Sequence, residues 1–229
     1  LQAAGRPLVM TSGNRAEEPI ATGLNDAASV HGIPDAWLLH DRDIRARYDD
    51  SVALVHRGRP RLVRRARGYA PFPVPLRREL PQVLACGAEL KNTFCLTRDR
   101  HAFLSQHIGD LENLETLEHF ERTVRLYRQL FRVEPGIVAY DLHPEYLATR
   151  YALSQDDVRR VGVQHHHAHI AACLAEHWWE GRVIGLSLDG LGYGTDGTLW
   201  GGEVLVCDCA GFARVAHLEP LPLPGGGSR

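Results

Sequence analysis

The stretch RRVGVQHHHAHIAACLAEH, residues 159–177, decides how this chain is read. It opens as a short apolar strand pattern and passes through four histidines in the five positions 165–169. It then continues as an alanine-rich helical pattern. A strand feeding directly into a helix is a joint of an α/β fold, and sites in such folds gather at the carboxyl ends of strands. With the helix starting near His165, His165 and His169 fall four apart on one face. Two imidazoles so spaced converge on one cation, as in helical H-x-x-x-H zinc sites. His166 and His167 then point elsewhere and serve as supporting or substrate groups. A lone histidine here would be read as a helix cap; four in five residues favour a metal or catalytic role.

Downstream, RVIGLSLDGLGYGTDGTLWGGEVLVCD, residues 182–208, reads as a glycine-punctuated hairpin. Asp189 ends its first apolar strand and is the natural third ligand, although a turn aspartate fits the same pattern. Upstream, GIVAYDLHP (136–144) is a buried strand with a polar end, and EYLATRYAL (145–153) is a short helix. In LENLETLEHFERTVRLYRQLF (111–131), Leu114, Leu117, Phe120, Val124, Tyr127 and Phe131 recur at three- and four-residue steps, an amphipathic helix. VLACGAELKNTFCLTRDRHAFLSQHIGD (83–110) reads as two strands around a turn at residues 97–100. Within it GAELKNTF (87–94) is a strand–turn whose Lys91, Asn92 and Thr93 suit a polyphosphate or simply an exposed hairpin.

Residues 71–82, PFPVPLRRELPQ, hold four prolines and read as a linker between two units, 1–70 and 83–229. In the first unit PLVMTSGN (7–14) reads as a strand running into a turn, GLNDAASVHG (23–32) as a helix, and DAWLLHD (35–41) as a strand. DDSVALVHRGRPRLVRR (49–65) reads as two strands joined by a tight turn. Thr11, Ser12 and Asn14 offer donors suited to a phosphate or adenylate, or form an ordinary Asx turn. Arg57, Arg59, Arg61, Arg64, Arg65 and Arg67 make a locally basic run, an anion groove or a solvated edge.

The 229 residues are 44% hydrophobic and 24% charged, with a formal charge of −2, which gives no general attraction to nucleic acid or anionic membrane. No apolar run is long enough to span a bilayer. Five cysteines without a C-x-x-C pair argue against a disulfide framework or zinc ribbon and for a reducing cytoplasm. The start LQAAGRPLVM, with the chain's one methionine at Met10, and the end EPLPLPGGGSR read as those of a piece of a longer protein.

The motifs TSGN, RYDDSV, RRARGYAP, CGAELKNTF, SQHIGDLEN, DLHPEY, VQHHHAHIAA and LDGLGYGTDGTLWGGE occur in this order along the chain. In that order and spacing the sequence resembles the HypF family, the carbamoyltransferases of nickel–iron hydrogenase maturation. The resemblance implies the C-terminal part of a YrdC-like α/β adenylation domain (1–70) and the linker 71–82. It also implies a Kae1-like domain (83–229) with a ribonuclease-H-like lobe of the actin, sugar-kinase and Hsp70 type. It implies ATP and carbamoyl phosphate as substrates, a carbamoyl-adenylate intermediate, and transfer to the C-terminal cysteine of HypE in the cytoplasm. It implies His165, His169 and Asp189 as ligands of a divalent metal, zinc or iron, with a further aspartate ligand beyond Arg229, and magnesium with ATP. Thr11, Ser12, Asn14, Ser51, Arg65 and Arg67 match the adenylate pocket, while Lys91 and Asn92 match the first phosphate loop and, with His166, are the candidate catalytic groups. Two other readings stand beside it: tRNA threonylcarbamoyladenosine synthesis, whose enzymes carry H-x-E-G-H where this chain has HHHAH, and a non-catalytic metal-binding module.

Overall fold

The computed structural model describes residues 2–15, 18–23, 32–38 and 41–220. Its centre is a five-stranded mixed sheet in the order β3-β5-β4-β6-β7. The strands are β3 (Val74–Leu80), β4 (Val83–Ala85), β5 (Cys95–Leu104), β6 (Ile137–Asp141) and β7 (Arg159–Val163). β4, β6 and β7 run parallel, while β3 and β5 pair antiparallel. β1 (Val52–His56) and β2 (Arg59–Arg64) form a separate hairpin, closed by Arg57 and Gly58 at positive φ as a two-residue turn requires.

Helix α1 (Leu114–Phe131) connects β5 to β6, α2 (Leu147–Ser154) connects β6 to β7, and α3 (His165–Glu176) follows β7. The sequence-predicted helix at 111–131 begins three residues late because Asn113 caps it, its side chain accepting from the Thr116 N–H at 2.8 Å. The apolar stripe of α1 buries Phe120, Val124 and Tyr127 against the sheet. Phe94 meets Phe120 and Tyr127 edge-on, with ring centroids 5.7 and 5.2 Å away, at the middle of that core. After α3, β8 (Val183–Ser187), β11 (Glu203–Cys207) and β12 (Phe212–His217) form an antiparallel sheet in the order β12-β11-β8. A small ladder of β9 (Gly192–Tyr193) and β10 (Leu199–Trp200) stands between β8 and β11 in sequence.

Several expectations need correction. Residues 74–80, expected in a linker, are the edge strand β3, since an edge position tolerates proline's missing N–H. No turn interrupts residues 97–100: β5 runs straight through, and Asp99 at φ 55 absorbs an irregularity where the register with β3 shifts. Residues 87–94 form an irregular loop rather than a hairpin. Residues 7–12 form no strand; Val9 and Met10 are exposed, and no described strand pairs with them. Residues 35–38 are likewise irregular. The helix expected over 23–32 lies almost wholly outside the described residues. Among the described residues no helix is long and apolar enough to cross a membrane.

Candidate metal centre

Three connections converge where the parallel strands end. β6 finishes at Asp141, β7 passes through Gln164 into α3, and β8 runs on to Asp189. The helix starts at His165 as the sequence requires, so His165 and His169 share one face, with Nε2 atoms 3.1 Å apart. Asp189 Oδ2 lies 3.4 Å from His165 Nε2, 3.2 Å from His166 Nε2 and 3.9 Å from His169 Nε2. The other Asp189 oxygen accepts a hydrogen bond from Ser187 Oγ at 2.5 Å.

This donor set fits a divalent cation. One ligand atom each from His165, His169 and Asp189 lies within 4.8 Å of the others. Asp189 Oδ2 is buried without a hydrogen-bond partner, so a lone pair is turned into the cluster unsatisfied. Two imidazole nitrogens and a carboxylate oxygen are the donors zinc or iron prefers, and three protein ligands leave an open position.

The histidines differ in environment. The Asp141 carboxylate, 2.7 Å from His165 Nδ1, raises that imidazole's pKa above its ordinary value against the effect of burial. His166 is fully buried, and burial pushes its pKa down. His167 leaves the cluster: its Nε2 lies 2.7 Å from the Asp208 carbonyl, and its ring packs on Phe212, tying α3 to the second sheet. Gly192 makes the close approach possible, because a Cβ there would stand 2.6 Å from His166 Cε1 and 2.9 Å from His165 Cβ. Tyr146 shares the neighbourhood: burial first, then the charges of Asp141, Glu89 and Asp189, push its phenol up to about 12.

The other sequence candidates are distributed differently. Asn92 is buried, its amide nitrogen donating to the Cys86 and Ala88 carbonyls and bracing the 86–94 loop, while its Oδ1 is buried without a partner. Lys91 is exposed, and its backbone N–H donates to Asp110 at 2.6 Å. Gly87, at φ 74, lets that loop close: a Cβ there would stand 2.4 Å from the Thr93 carbonyl oxygen. Ser51 also braces backbone, donating to Arg67 O and accepting from the Ala66 N–H, both at 2.9 Å.

Arg67 lines a cavity of about 410 Å³ together with Arg47 and Tyr48. Arg65 donates to Phe72 O and keeps Nη1 buried without a partner, and burial lowers its pKa. Asn14 donates to Arg15 O and Glu18 O, with its Oδ1 buried and unpaired. Thr11 and Ser12 are exposed. Sequence reasoning passed over Asp141 and Gln164. The available signals were a carboxylate ending a buried parallel strand and an amide at a helix N-cap.

Comparison with known proteins gives the chain its relatives. Family models match residues 1–66 (Sua5/YciO/YrdC, described as telomere recombination), 78–176 (HypF Kae1-like domain) and 185–229 (carbamoyltransferase Kae1-like domain, second subdomain). Carbamoyltransferase HypF2 of Cupriavidus necator is 48% identical over 98% of this chain and 30% of its own length. Carbamoyltransferase HypF of Rhizobium leguminosarum bv. viciae is 47% identical over 96% of this chain and 29% of its own.

A crystal structure of full-length HypF in a phosphate- and nucleotide-bound form superposes with a TM-score of 0.87 at 50% identity, covering 91% of this chain and 33% of that one. The structure of HypF from T. kodakarensis gives a TM-score of 0.85 at 40% identity, over 95% of this chain and 29% of that one. The chain spans about 30% of the length of the curated relatives. It belongs to the HypF family, with a YrdC-like stretch followed by the Kae1-like domain.

Proposed function

We propose that this chain is part of a carbamoyltransferase that uses ATP and carbamoyl phosphate. In this reading the whole protein forms a carbamoyl-adenylate and passes the carbamoyl group to the C-terminal cysteine of HypE, for the cyanide ligands of nickel–iron hydrogenase. The observation that carries the reading is the convergence of His165, His169 and Asp189 beside the strand ends, in a chain of this family. Those three residues would hold a divalent cation, zinc or iron. Such an ion supplies Lewis acidity toward a phosphate or carbamoyl oxygen when bound.

The chain's own side chains supply the rest. Arg67, on the wall of the N-terminal cavity, and Arg65, with an unpaired Nη1, suit the charge that develops on phosphates during adenylation. Magnesium would accompany ATP. Burial pushes the Cys86 and Cys95 thiols up to about 12, so neither offers a thiolate at neutral pH, which suits an acceptor thiol supplied by a partner. Free cysteines throughout the chain suit a reducing cytoplasm.

ATP–pyrophosphate exchange by the intact protein tests this. Exchange that depends on carbamoyl phosphate is the expected result. Dependence on bicarbonate and threonine would move the assignment to tRNA modification, and no exchange at all would leave a binding module. In the same protein, His165→Ala and His169→Ala should each lower bound metal and carbamoyl transfer. Unchanged metal content in both would remove these residues as ligands.

A further inference from the structure

We infer that Asp141 and Gln164 are positioning residues that fix opposite tautomers on the adjacent imidazoles His165 and His166. The consequence for a cation rests on the metal reading above; the tautomers themselves do not. A neutral imidazole carries one N–H, and the hydrogen bond at one nitrogen decides what the other offers.

Asp141 is buried, and both of its oxygens are engaged. Oδ1 accepts from the His143 N–H at 2.9 Å, and Oδ2 lies 2.7 Å from His165 Nδ1. A carboxylate has only lone pairs to give, so Nδ1 is the protonated nitrogen. His165 Nε2 is left bare, and it is the atom that faces His169 and Asp189.

Gln164 does the reverse. It is the N-cap of α3, and its Oε1 accepts from the His167 N–H at 3.0 Å. That bond fixes the orientation of the amide, because a flipped group would point NH₂ at an N–H. The amide nitrogen therefore faces His166 Nδ1 at 3.0 Å and donates to it, with the Tyr193 carbonyl 3.4 Å away as its second acceptor. His166 then carries its proton on Nε2. That atom is buried without a hydrogen-bond partner, 3.2 Å from Asp189 Oδ2.

Two neighbouring histidines thus present opposite chemistry to one aspartate. His165 offers a lone pair and can ligate; His166 offers an N–H and cannot. The N–H keeps His166 out of the ligand set of His165, His169 and Asp189, although its Nε2 stands nearer to Asp189 Oδ2 than theirs do. Two isosteric substitutions should each reverse one tautomer. In Asp141→Asn the amide oxygen stays on the His143 N–H, so NH₂ meets His165 Nδ1 and the proton moves to Nε2. In Gln164→Glu a carboxylate oxygen meets His166 Nδ1 and draws the proton there.

The test uses the full chain, metal-free, isotope-labelled at the histidine ring nitrogens, at mildly alkaline pH. Long-range nitrogen–proton correlation reads the tautomers, and His165→Gln and His166→Gln assign the signals. The expected result is Nδ1–H on His165 and Nε2–H on His166, each reversed by its own variant. A shared tautomer in the wild-type chain overturns the inference, as does no reversal in folded variants. If a variant fails to fold, the wild-type spectrum decides alone. Zinc affinity, by competition with a chelator, should fall roughly 10- to 100-fold in Asp141→Asn. Opposite tautomers in a wild-type chain that binds no zinc would uphold the inference and sink the metal reading. A reversed tautomer with unchanged zinc affinity would do the same for His165 as a ligand.

Discussion

His119 is a buried imidazole on α1, away from the histidine cluster, and its burial should make the chain acid-sensitive. Burial first, then the positive charges of Arg47 and Arg122, lower its pKa from 6.5 to about 4, against the pull of Asp49. Above pH 6.5 neither the folded nor the unfolded chain protonates this ring, and the stability is whole. Below 6.5 the unfolded chain takes up a proton that the folded chain refuses until about pH 4, so stability falls across that window. The loss approaches about 3 kcal/mol by its lower end. His119→Gln should flatten the fall, seen as urea midpoints that differ less between pH 7 and the acid side than in the wild type. An identical pH profile in the variant would show that another group sets the acid limit. At this scale the sequence was readable where the geometry is local. The four-residue step from His165 to His169 needs only a helix; Asp189 stands out as a strand end, not by its spacing from the histidines. Asp141 reaches His165 from another strand, 24 residues away in the chain, and no spacing rule announces such a contact.

Elements carry their own tests. In the second sheet Glu203 is fully buried, and its two oxygens receive Arg214 Nε at 2.6 Å and Nη2 at 2.9 Å. The guanidinium also lies 4.2 Å over the Trp200 ring, and the Gly201 N–H donates to the same carboxylate. Arg214→Met removes the partner and leaves a buried charge, at a cost of about 3–5 kcal/mol. Glu203→Gln leaves the partly exposed guanidinium over Trp200 as the remaining charge and should cost less; equal losses in denaturant unfolding would contradict this account. On β9, Gly192→Ala would drive a Cβ into His165 and His166. It should lower stability by about 1–3 kcal/mol. It should weaken zinc binding as well, and a chelator competition matching the wild type would show that the cluster tolerates the push. Helix α1 was legible from its periodicity, β6 and β7 from their short apolar runs, and α3 from its alanine-rich helical pattern. β3 was not, because Pro75 and the prolines that flank the strand argue against it until its edge position is known. β5 was not, because the polar run at residues 97–100 looks like a turn when the pairing across the sheet is unseen.

At the scale of the molecule, the N-terminal stretch is fastened to the five-stranded sheet by the SQHIGD segment. Gln106, fully buried, donates to the Arg47 carbonyl at 3.1 Å and accepts from the Tyr127 hydroxyl at 2.9 Å. His107 Nδ1 meets the Asp49 carboxylate at 2.6 Å. The seam thus holds Arg47 and Asp49 through two consecutive side chains, of which Gln106 reaches the core helix α1 at Tyr127, and Arg67 N, bonded to Asp49 O, extends it toward the cavity wall. No local pattern reveals this seam, since its partners lie 58 and 59 residues apart. The hydrogen bond to His107 holds the Asp49 carboxyl below its ordinary 3.8. A carboxylate with a depressed pKa stabilises the fold above the unfolded value and loses that contribution as pH falls through the folded one. Asp49→Asn should therefore loosen the seam at neutral pH by about 1.5–3 kcal/mol, the usual worth of a hydrogen bond to a charged group. The loss should appear as faster backbone hydrogen exchange at residues 64–67, while α1 keeps its protection, and it should vanish below the folded pKa of Asp49. Uniform loosening of the whole chain would mean that the pair supports the core in general, and no change at either pH would mean that Gln106 alone holds the two parts together.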